Sequence, residues 1–178
     1  GDDADLCRVS GDTMGLIDRP DAQVYNTGPG EMQILFINQN PAGVAEPALT
    51  WLTTTEFRQA LAHIVNRSRI VNEAYEGYAS AVYSPIHPDS PYYRPDVDTT
   101  VPAYDPMAAE TLLDDLGWTD TNTDDIREHP TGENISLTLI VPSGNAEAVS
   151  MCHIIAEEAL AVGIDINVQP VTTLELFE

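Results

Sequence analysis

Apolar residues recur with helical spacing before residue 66. They fall at i, i+3, i+4, i+7 and i+8 and comprise Phe57, Ala60, Leu61, Ile64 and Val65. At 3.6 residues per turn these positions share one face, so the spacing predicts a helix beginning near Thr55 with that face buried. Thr53 and Glu56 have the spacing of a capping box, which predicts how the first turn is closed. Asn66 is predicted to cap a second helix that ends at Gly77.

A shorter apolar run precedes these helices. It consists of four consecutive residues, Ile34, Leu35, Phe36 and Ile37, and polar residues and a proline follow it. A short apolar run bounded by turn residues is typical of a strand, so we predict a strand that ends at Asn38.

Five prolines lie between residues 78 and 102. Proline lacks the backbone donor and has a fixed φ, so this segment is predicted to be an ordered surface loop without regular structure. A helix follows it, with Asp105 as N-cap, Pro106 at the first helical position and Gly117 as the residue that ends it.

The last third of the chain has the pattern of strand, helix and strand. Apolar residues alternate over 135–141, take helical spacing up to Gly163, and alternate again over 164–168. A βαβ unit of this size is expected to have parallel strands. Thr172 and Glu175 again have capping-box spacing, which predicts the start of a further helix.

Several of these segments, taken in order, resemble the extracellular solute-binding proteins of peptide and nickel ABC importers, known as family 5. The segments are Phe36-Ile37-Asn38, residues 57–67, Ile70-Val71 with Gly77, Tyr83-Ser84-Pro85, Tyr104-Asp105-Pro106, Gly117-Trp118 and Gly163-Ile164. Asn66 stands where the family usually has Asp, and both residue types cap helices.

The resemblance implies an α/β fold, namely a truncated lobe of a two-lobed periplasmic-binding-protein-like fold of the class II type, with a mixed sheet flanked by helices. Residues 1–30 would be the hinge and the end of the neighbouring lobe, and residues 31–178 an incomplete C-terminal-side lobe. The chain would thus be a fragment of a longer protein.

The same resemblance implies the substrate-binding component of an ABC importer. Such a protein captures peptides or similar small solutes outside the cytoplasmic membrane, in the periplasm or attached by a lipid anchor, and delivers them to permease subunits. It needs no cofactor and is not an enzyme. Two alternatives stay open: an α/β hydrolase-like enzyme domain, and a structural or interaction lobe without ligand. A nucleophile elbow would be the mark of the former, and Gly11-Asp12-Thr13-Met14-Gly15 is similar to one only superficially, because no strong strand precedes it.

Candidate ligand-binding residues follow from the position of the strand ends. In open α/β sheets ligands bind beyond the carboxyl ends of the strands. Asn38 follows the predicted first strand, and Ser143 and Asn145 follow the strand over 135–141. Phe36 and the segment Tyr83, Ser84 and Pro85 are expected near the same cleft. For each polar residue, turn formation or helix capping is the competing interpretation.

A calcium loop is the one metal site that the sequence suggests. Asp120, Asn122 and Asp124 occupy its first three oxygen-ligand positions. Asp125 stands where glycine is required, and Thr131 where a bidentate Glu is required. These departures favour a solvated acidic turn, which resembles a hairpin of the same family.

Composition restricts the partners. The chain has 29 acidic residues and seven Arg but no Lys, which gives a net charge of -22. Such a surface repels nucleic acid phosphate and anionic lipid. It indicates either adaptation to high salt or a surface selected for solubility. No apolar run has the length of about 20 residues that spans a membrane. Cys7 and Cys152 are predicted to be buried free thiols.

Overall fold

The computed structural model describes residues 32–86, 88, 90–96, 101–172 and 174–175. Within these ranges the helices are α1 (Ala48–Thr53), α2 (Thr55–His63), α3 (Arg67–Glu73), α4 (Pro106–Asp115) and α5 (Ala146–Leu160), and the strands are β1 (Ser136–Pro142) and β2 (Asp165–Val171). Residues 1–30, with Cys7 and the segment around Thr13, lie outside the described part. The expectation that they form a hinge therefore stays a prediction.

The predicted apolar face of α2 forms the centre of the core. Phe57, Ala60 and Ile64 are almost completely buried, and they belong to one cluster with Ala109 and Leu113 of α4. The ring of Phe57 packs against Trp118 at 4.9 Å between centroids, with the planes tilted by 45°. Burial of this face by α4 accounts for the close packing of the two helices.

The caps predicted at Asn66 and Asp105 are present, and Asn145, for which capping was the competing interpretation, also caps a helix. Asn66, Asp105 and Asn145 each accept a hydrogen bond through a side-chain oxygen from a backbone N–H three residues later, and they cap α3, α4 and α5. Each bond satisfies one of the donors that the first turn of a helix leaves free. Gly117, after α4, has the left-handed φ of 73° that ends many helices.

The prediction of a capping box at Thr53 and Glu56 was wrong. Thr53 is the last residue of α1, a helix that the sequence did not predict, and its hydroxyl donates to the carbonyl of Leu49. An N-cap needs a non-helical backbone, so Thr53 cannot serve as one. The position falls instead to Thr54, whose side chain makes no capping hydrogen bond.

The predicted βαβ unit is confirmed. β1 and β2 pair in parallel, from Ser136 opposite Asp165 to Pro142 opposite Val171, and α5 connects them. Ile154 and Ile155 of α5 are buried in a cluster with Ile70 of α3. The sheet within the described ranges consists of these two parallel strands, and the further strands of a mixed sheet are not among them.

The strand predicted over residues 34–37 was wrong. Residues 32–40 have no regular structure, and Ile34, Leu35 and Phe36 are exposed. Ile37 alone of the four packs against the main core cluster. A strand requires a neighbour to complete its hydrogen bonds, and no described segment pairs with this one.

Other expectations are met in the described part of the chain. The described residues between α3 and α4 contain no α-helix or strand, and residues 95–96 lie in a 3₁₀ turn. Cys152 is a buried free thiol, and burial raises its pKa. None of the described helices has the length and apolar content that crossing a membrane requires.

Candidate functional site

Two loops meet at the carboxyl end of the sheet, one after β1 and one after β2. The backbone N–H of Ser143, just beyond β1, donates to the carbonyl of Val171, the last residue of β2, at 2.7 Å. Asn145 caps α5 in the same loop, so its side-chain oxygen already accepts the N–H of Ala148 at 2.8 Å. The hydroxyl of Ser143 makes no hydrogen bond to any described residue. Of the two, Ser143 therefore has a polar group without a partner among the described residues.

The second loop at this edge begins at Thr172. Glu175 accepts hydrogen bonds from the backbone N–H and the hydroxyl of Thr172, both at 2.8 Å, and its own N–H donates to that hydroxyl at 3.3 Å. These contacts confirm the predicted capping box. The backbone and side-chain hydrogen bonds from Thr172 lower the pKa of Glu175.

Asn38 lies in a tight turn. Its side-chain oxygen accepts the N–H of Asn40 at 3.0 Å, and its amide nitrogen would lie 3.1 Å from a Cβ placed on Gly43. Phe36, two residues earlier, is 83% exposed. The turn uses the side-chain oxygen of Asn38 and leaves the ring of Phe36 exposed, where it can contact a ligand.

The segment from Tyr83 to Pro85 lies beside α3. The guanidinium of Arg67 stacks over the Tyr83 ring at 5.0 Å from its centroid, and Ser84 accepts the N–H of Ile86 at 3.1 Å. Pro85 is exposed. The cation–π contact fixes the ring next to a positive charge.

These candidates form three separate groups in the described structure. Ser143 and Asn145 share the sheet edge. No hydrogen bond, ion pair or ring contact between described residues joins them to Phe36 and Asn38 or to the Tyr83 segment. Two cavities in the described part of the chain, of about 310 and 530 Å³, are lined by none of them. The larger lies between α2 and α4 and is lined by Gln59, His63, Pro102, Ala108, Thr111 and Leu112.

A polar network that the sequence did not reveal joins α3 to α5. Arg69 forms ion pairs with Glu73 at 3.0 Å, Glu157 at 2.6 Å and Glu158 at 3.2 Å. Tyr104 donates its hydroxyl to Glu158 at 2.5 Å, and Asn66 donates its amide at 3.3 Å. Only the contact with Glu73 has helical i, i+4 spacing; the partners on α5 are far away in sequence.

This network shifts the pKa values of three of its members. The hydrogen bonds to Glu73, Glu157 and Glu158 raise the pKa of Arg69. The hydrogen bond to Glu158 raises the pKa of Tyr104, since the neighbouring carboxylate disfavours a phenolate. Burial raises the pKa of Glu158, but the hydrogen bonds from Tyr104, Arg69 and Asn66 outweigh it, and the net pKa is lowered. Glu158 is therefore held as a carboxylate.

The acidic loop between α4 and β1 is tightly folded. Asp120 accepts the N–H groups of Thr123 and Asp125 at 2.7 and 3.0 Å, and Asp124 accepts that of Ile126 at 2.9 Å. The bonds from the backbone of Ile126 and from the side chain of Asn134 lower the pKa of Asp124. Carboxylate oxygens of Asp120, Asp124 and Glu128 lie within 4.8 Å of one another. Glu128 was not among the predicted metal ligands.

The parallel pair of strands, the crossover helix α5 and the flanking helices define part of an α/β fold. The chain belongs to the bacterial extracellular solute-binding proteins of family 5, whose middle region it matches over residues 3–177. This confirms the resemblance drawn from the sequence motifs.

Curated relatives and solved structures agree with this assignment. The oligopeptide-binding protein AppA of Bacillus subtilis strain 168 is 31% identical over 121 residues, which cover 68% of this chain and 22% of AppA. The nickel-binding periplasmic protein of Escherichia coli K12 is 29% identical over 139 residues, or 78% of this chain and 24% of that protein.

Two solved structures are similar to the fold. AppA from Bacillus subtilis in complex with a nonapeptide is matched with a TM-score of 0.66 at 30% identity, over 72% of this chain and 25% of AppA. The mannohexaose-bound periplasmic oligopeptide-binding protein of Thermotoga maritima is matched with a TM-score of 0.63 at 33% identity, over 70% of this chain and 24% of that one. The chain thus spans about a quarter of the length of these relatives.

Proposed function

We propose that this chain is part of the substrate-binding component of an ABC importer. The whole protein captures peptides or similar small solutes outside the cytoplasmic membrane and delivers them to permease subunits. The main support is the family match over residues 3–177, together with a relative that was solved with a nonapeptide. We expect no catalysis from it.

In this proposal residues 31–178 form one lobe, and residues 1–30 lead from the neighbouring one. The ligand lies against the carboxyl edge of the sheet, where the hydroxyl of Ser143 is free and the N–H groups around Asn145 start a helix. The rings of Phe36 and Tyr83 supply apolar contacts to the ligand, and the side-chain amide of Asn38 supplies a polar one. The three groups are separate in the described structure, so the proposal requires the facing lobe to complete the cleft.

The test is calorimetric titration of the intact importer component with three probes: a nonapeptide, a nickel–histidine complex and mannohexaose. We expect saturable binding of the peptide. The chain of 178 residues alone should bind it at least tenfold more weakly, because the contacts from the facing lobe are missing. Tight binding by the 178-residue chain would contradict a shared cleft. Binding of none of the probes, or turnover of the peptide, would contradict the function itself.

A matched pair of variants tests the predicted contacts. Phe36→Ala removes a ring that is 83% exposed, and Tyr92→Ala removes one that is 79% exposed and lies in no candidate group. Neither change disturbs the core, so an effect on affinity reports ligand contact. We expect Phe36→Ala to weaken peptide binding about tenfold and Tyr92→Ala to leave it unchanged. Equal affinities for both variants would remove Phe36 from the site.

A further inference from the structure

The acidic loop between α4 and β1 is not used by the proposed transport function. Asp120 and Asp124 are exposed, and exposed carboxylates are common without any ligand. Glu128 differs from them because the residue is only 5% exposed, although one of its carboxylate oxygens lies within 4.8 Å of those of Asp120 and Asp124. Its backbone is held by Thr119 on one side and bridged to Asn134 on the other.

One oxygen of the Glu128 carboxylate has no partner among the residues that the structure describes. Oε2 accepts the backbone N–H and the hydroxyl of Thr121 at 2.7 and 2.9 Å. Oε1 is buried and accepts no hydrogen bond from any of these residues. A buried carboxylate oxygen without a donor costs free energy, so an atom that is not part of the protein is expected to compensate it.

No basic side chain in the described ranges forms an ion pair with the cluster. Arg127 is adjacent in sequence, but its guanidinium binds the carbonyls of Trp118 and Val162 at 2.7 and 2.8 Å and pairs with Asp114 at 2.5 Å. The three converging carboxylates of Asp120, Asp124 and Glu128 therefore lack a positive counterpart.

The structure compensates for both departures from the calcium-loop pattern, at the sixth and at the twelfth position. Counted from Asp120, Asp125 is the sixth residue, where a calcium loop needs glycine for a sharp turn. Asp125 adopts the left-handed conformation itself, with a φ of 68°. Glu128 is the ninth residue, which is also a ligand position, and it brings a buried carboxylate to a loop that lacks the usual Glu at the twelfth.

We propose that this loop binds one Ca²⁺ ion through the carboxylates of Asp120, Asp124 and Glu128, with Asn122 as a further oxygen ligand. An all-oxygen ligand set selects hard cations over zinc. Backbone N–H bonds fix the carboxylates of Asp120 and Asp124, which disfavours the shorter, strictly octahedral geometry of Mg²⁺. With no bidentate Glu at the twelfth position, the expected dissociation constant is on the order of 10⁻⁴ to 10⁻³ M, as in extracellular calcium modules.

The test is titration of the chelator-stripped protein with CaCl₂, followed by calorimetry and by thermal unfolding. All samples are brought to the same ionic strength with NaCl, because general screening also stabilises a chain of net charge -22. We expect one saturable site, a melting temperature that rises with Ca²⁺ as ligand linkage requires, and binding of MgCl₂ at least tenfold weaker.

The decisive variant is Glu128→Gln, which keeps the shape of the side chain and removes its charge. We expect it to weaken Ca²⁺ binding at least tenfold, whereas Glu133→Gln, an exposed change in the same hairpin, leaves binding unchanged. Where Glu128→Gln does not fold, Asp120→Asn at an exposed position decides the question. Lack of saturable Ca²⁺ binding, a stabilisation that NaCl reproduces, or equal losses in the target and control variants would overturn the proposal.

Discussion

Leu61→Ala measures how much the apolar face of α2 contributes to stability. Leu61 is 8% exposed and belongs to the main core cluster, so the change removes buried methyl groups and leaves a cavity between α2 and α4. Such substitutions cost about 2 to 5 kcal/mol. Leu and Ala are both good helix formers, so helix propensity contributes little. For a chain of this size the loss corresponds to a fall in melting temperature of about 4 to 20 °C.

The control is Leu160→Ala, the same chemical change at a residue of α5 that is 52% exposed. It is expected to alter the free energy of unfolding by less than about 0.5 kcal/mol. Urea unfolding followed by circular dichroism gives both values. If the two variants lose the same small amount, the α2 face is not part of the core and the packing described here is wrong.

Four further changes test other parts of the structure. Asn145→Ala should lower the free energy of unfolding by about 1 kcal/mol through loss of the α5 cap, as measured by urea denaturation. Gly163→Ala should cost more than Gly132→Ala in the same assay: both have positive φ, but the new Cβ at Gly163 would lie 2.7 Å from Cγ of Arg127, whereas that at Gly132 meets nothing within 4 Å. Folding lowers the pKa of the Glu158 carboxyl group. The ionised carboxylate therefore stabilises the folded state above its unfolded pKa of about 4.3, and this stabilisation is lost as the pH falls through the folded pKa. The difference in unfolding free energy between the wild type and Glu158→Gln should shrink between pH 7 and pH 3. If the acidic surface is an adaptation to high salt, the melting temperature should rise markedly between dilute buffer and molar NaCl, and an unchanged value would refute that hypothesis.

The elements that sequence patterns predicted are those whose determinants are local. The α2 face, the caps at Asn66 and Asp105, and the alternation of β1 and β2 all depend on residues within a few positions of one another. The βαβ order then determined the parallel pairing, because a crossover helix leaves little choice. Fold class could thus be inferred without long-range information.

The failures concern interactions across the chain. Residues 34–37 have the composition of a strand, but a strand also needs a partner, which no periodicity supplies. α1 is too short to show a periodic pattern in the sequence. It includes Thr53 as its last residue, so Thr53 does not form the predicted capping box. Local signals were present in both cases, and the surrounding structure overrode them.

The same limit applies to the polar sites. Arg69 and Glu158 are 89 residues apart, so nothing in the sequence around either one indicates the ion pair. Glu128 could have been found from its position nine residues into the acidic loop, but its burial and its unpartnered oxygen become visible only in three dimensions. Among the candidate ligand residues, sequence located the strand-end loop at Ser143 and left its relation to Phe36 open.

The proposed calcium loop and the candidate ligand edge lie at opposite ends of the sheet. The loop leads through Ile135 to the start of β1, and the ligand edge begins where β1 ends at Pro142. At about 3.3 Å per residue the seven residues of β1 separate the two ends by roughly 20 Å. That distance exceeds the Debye length of about 8 Å at physiological ionic strength, so a bound cation exerts little direct force on a solute at the other end. Its effect falls instead on the hairpin that joins α4 to β1, where Arg127 contacts Gly163, and hence on the stability of the lobe.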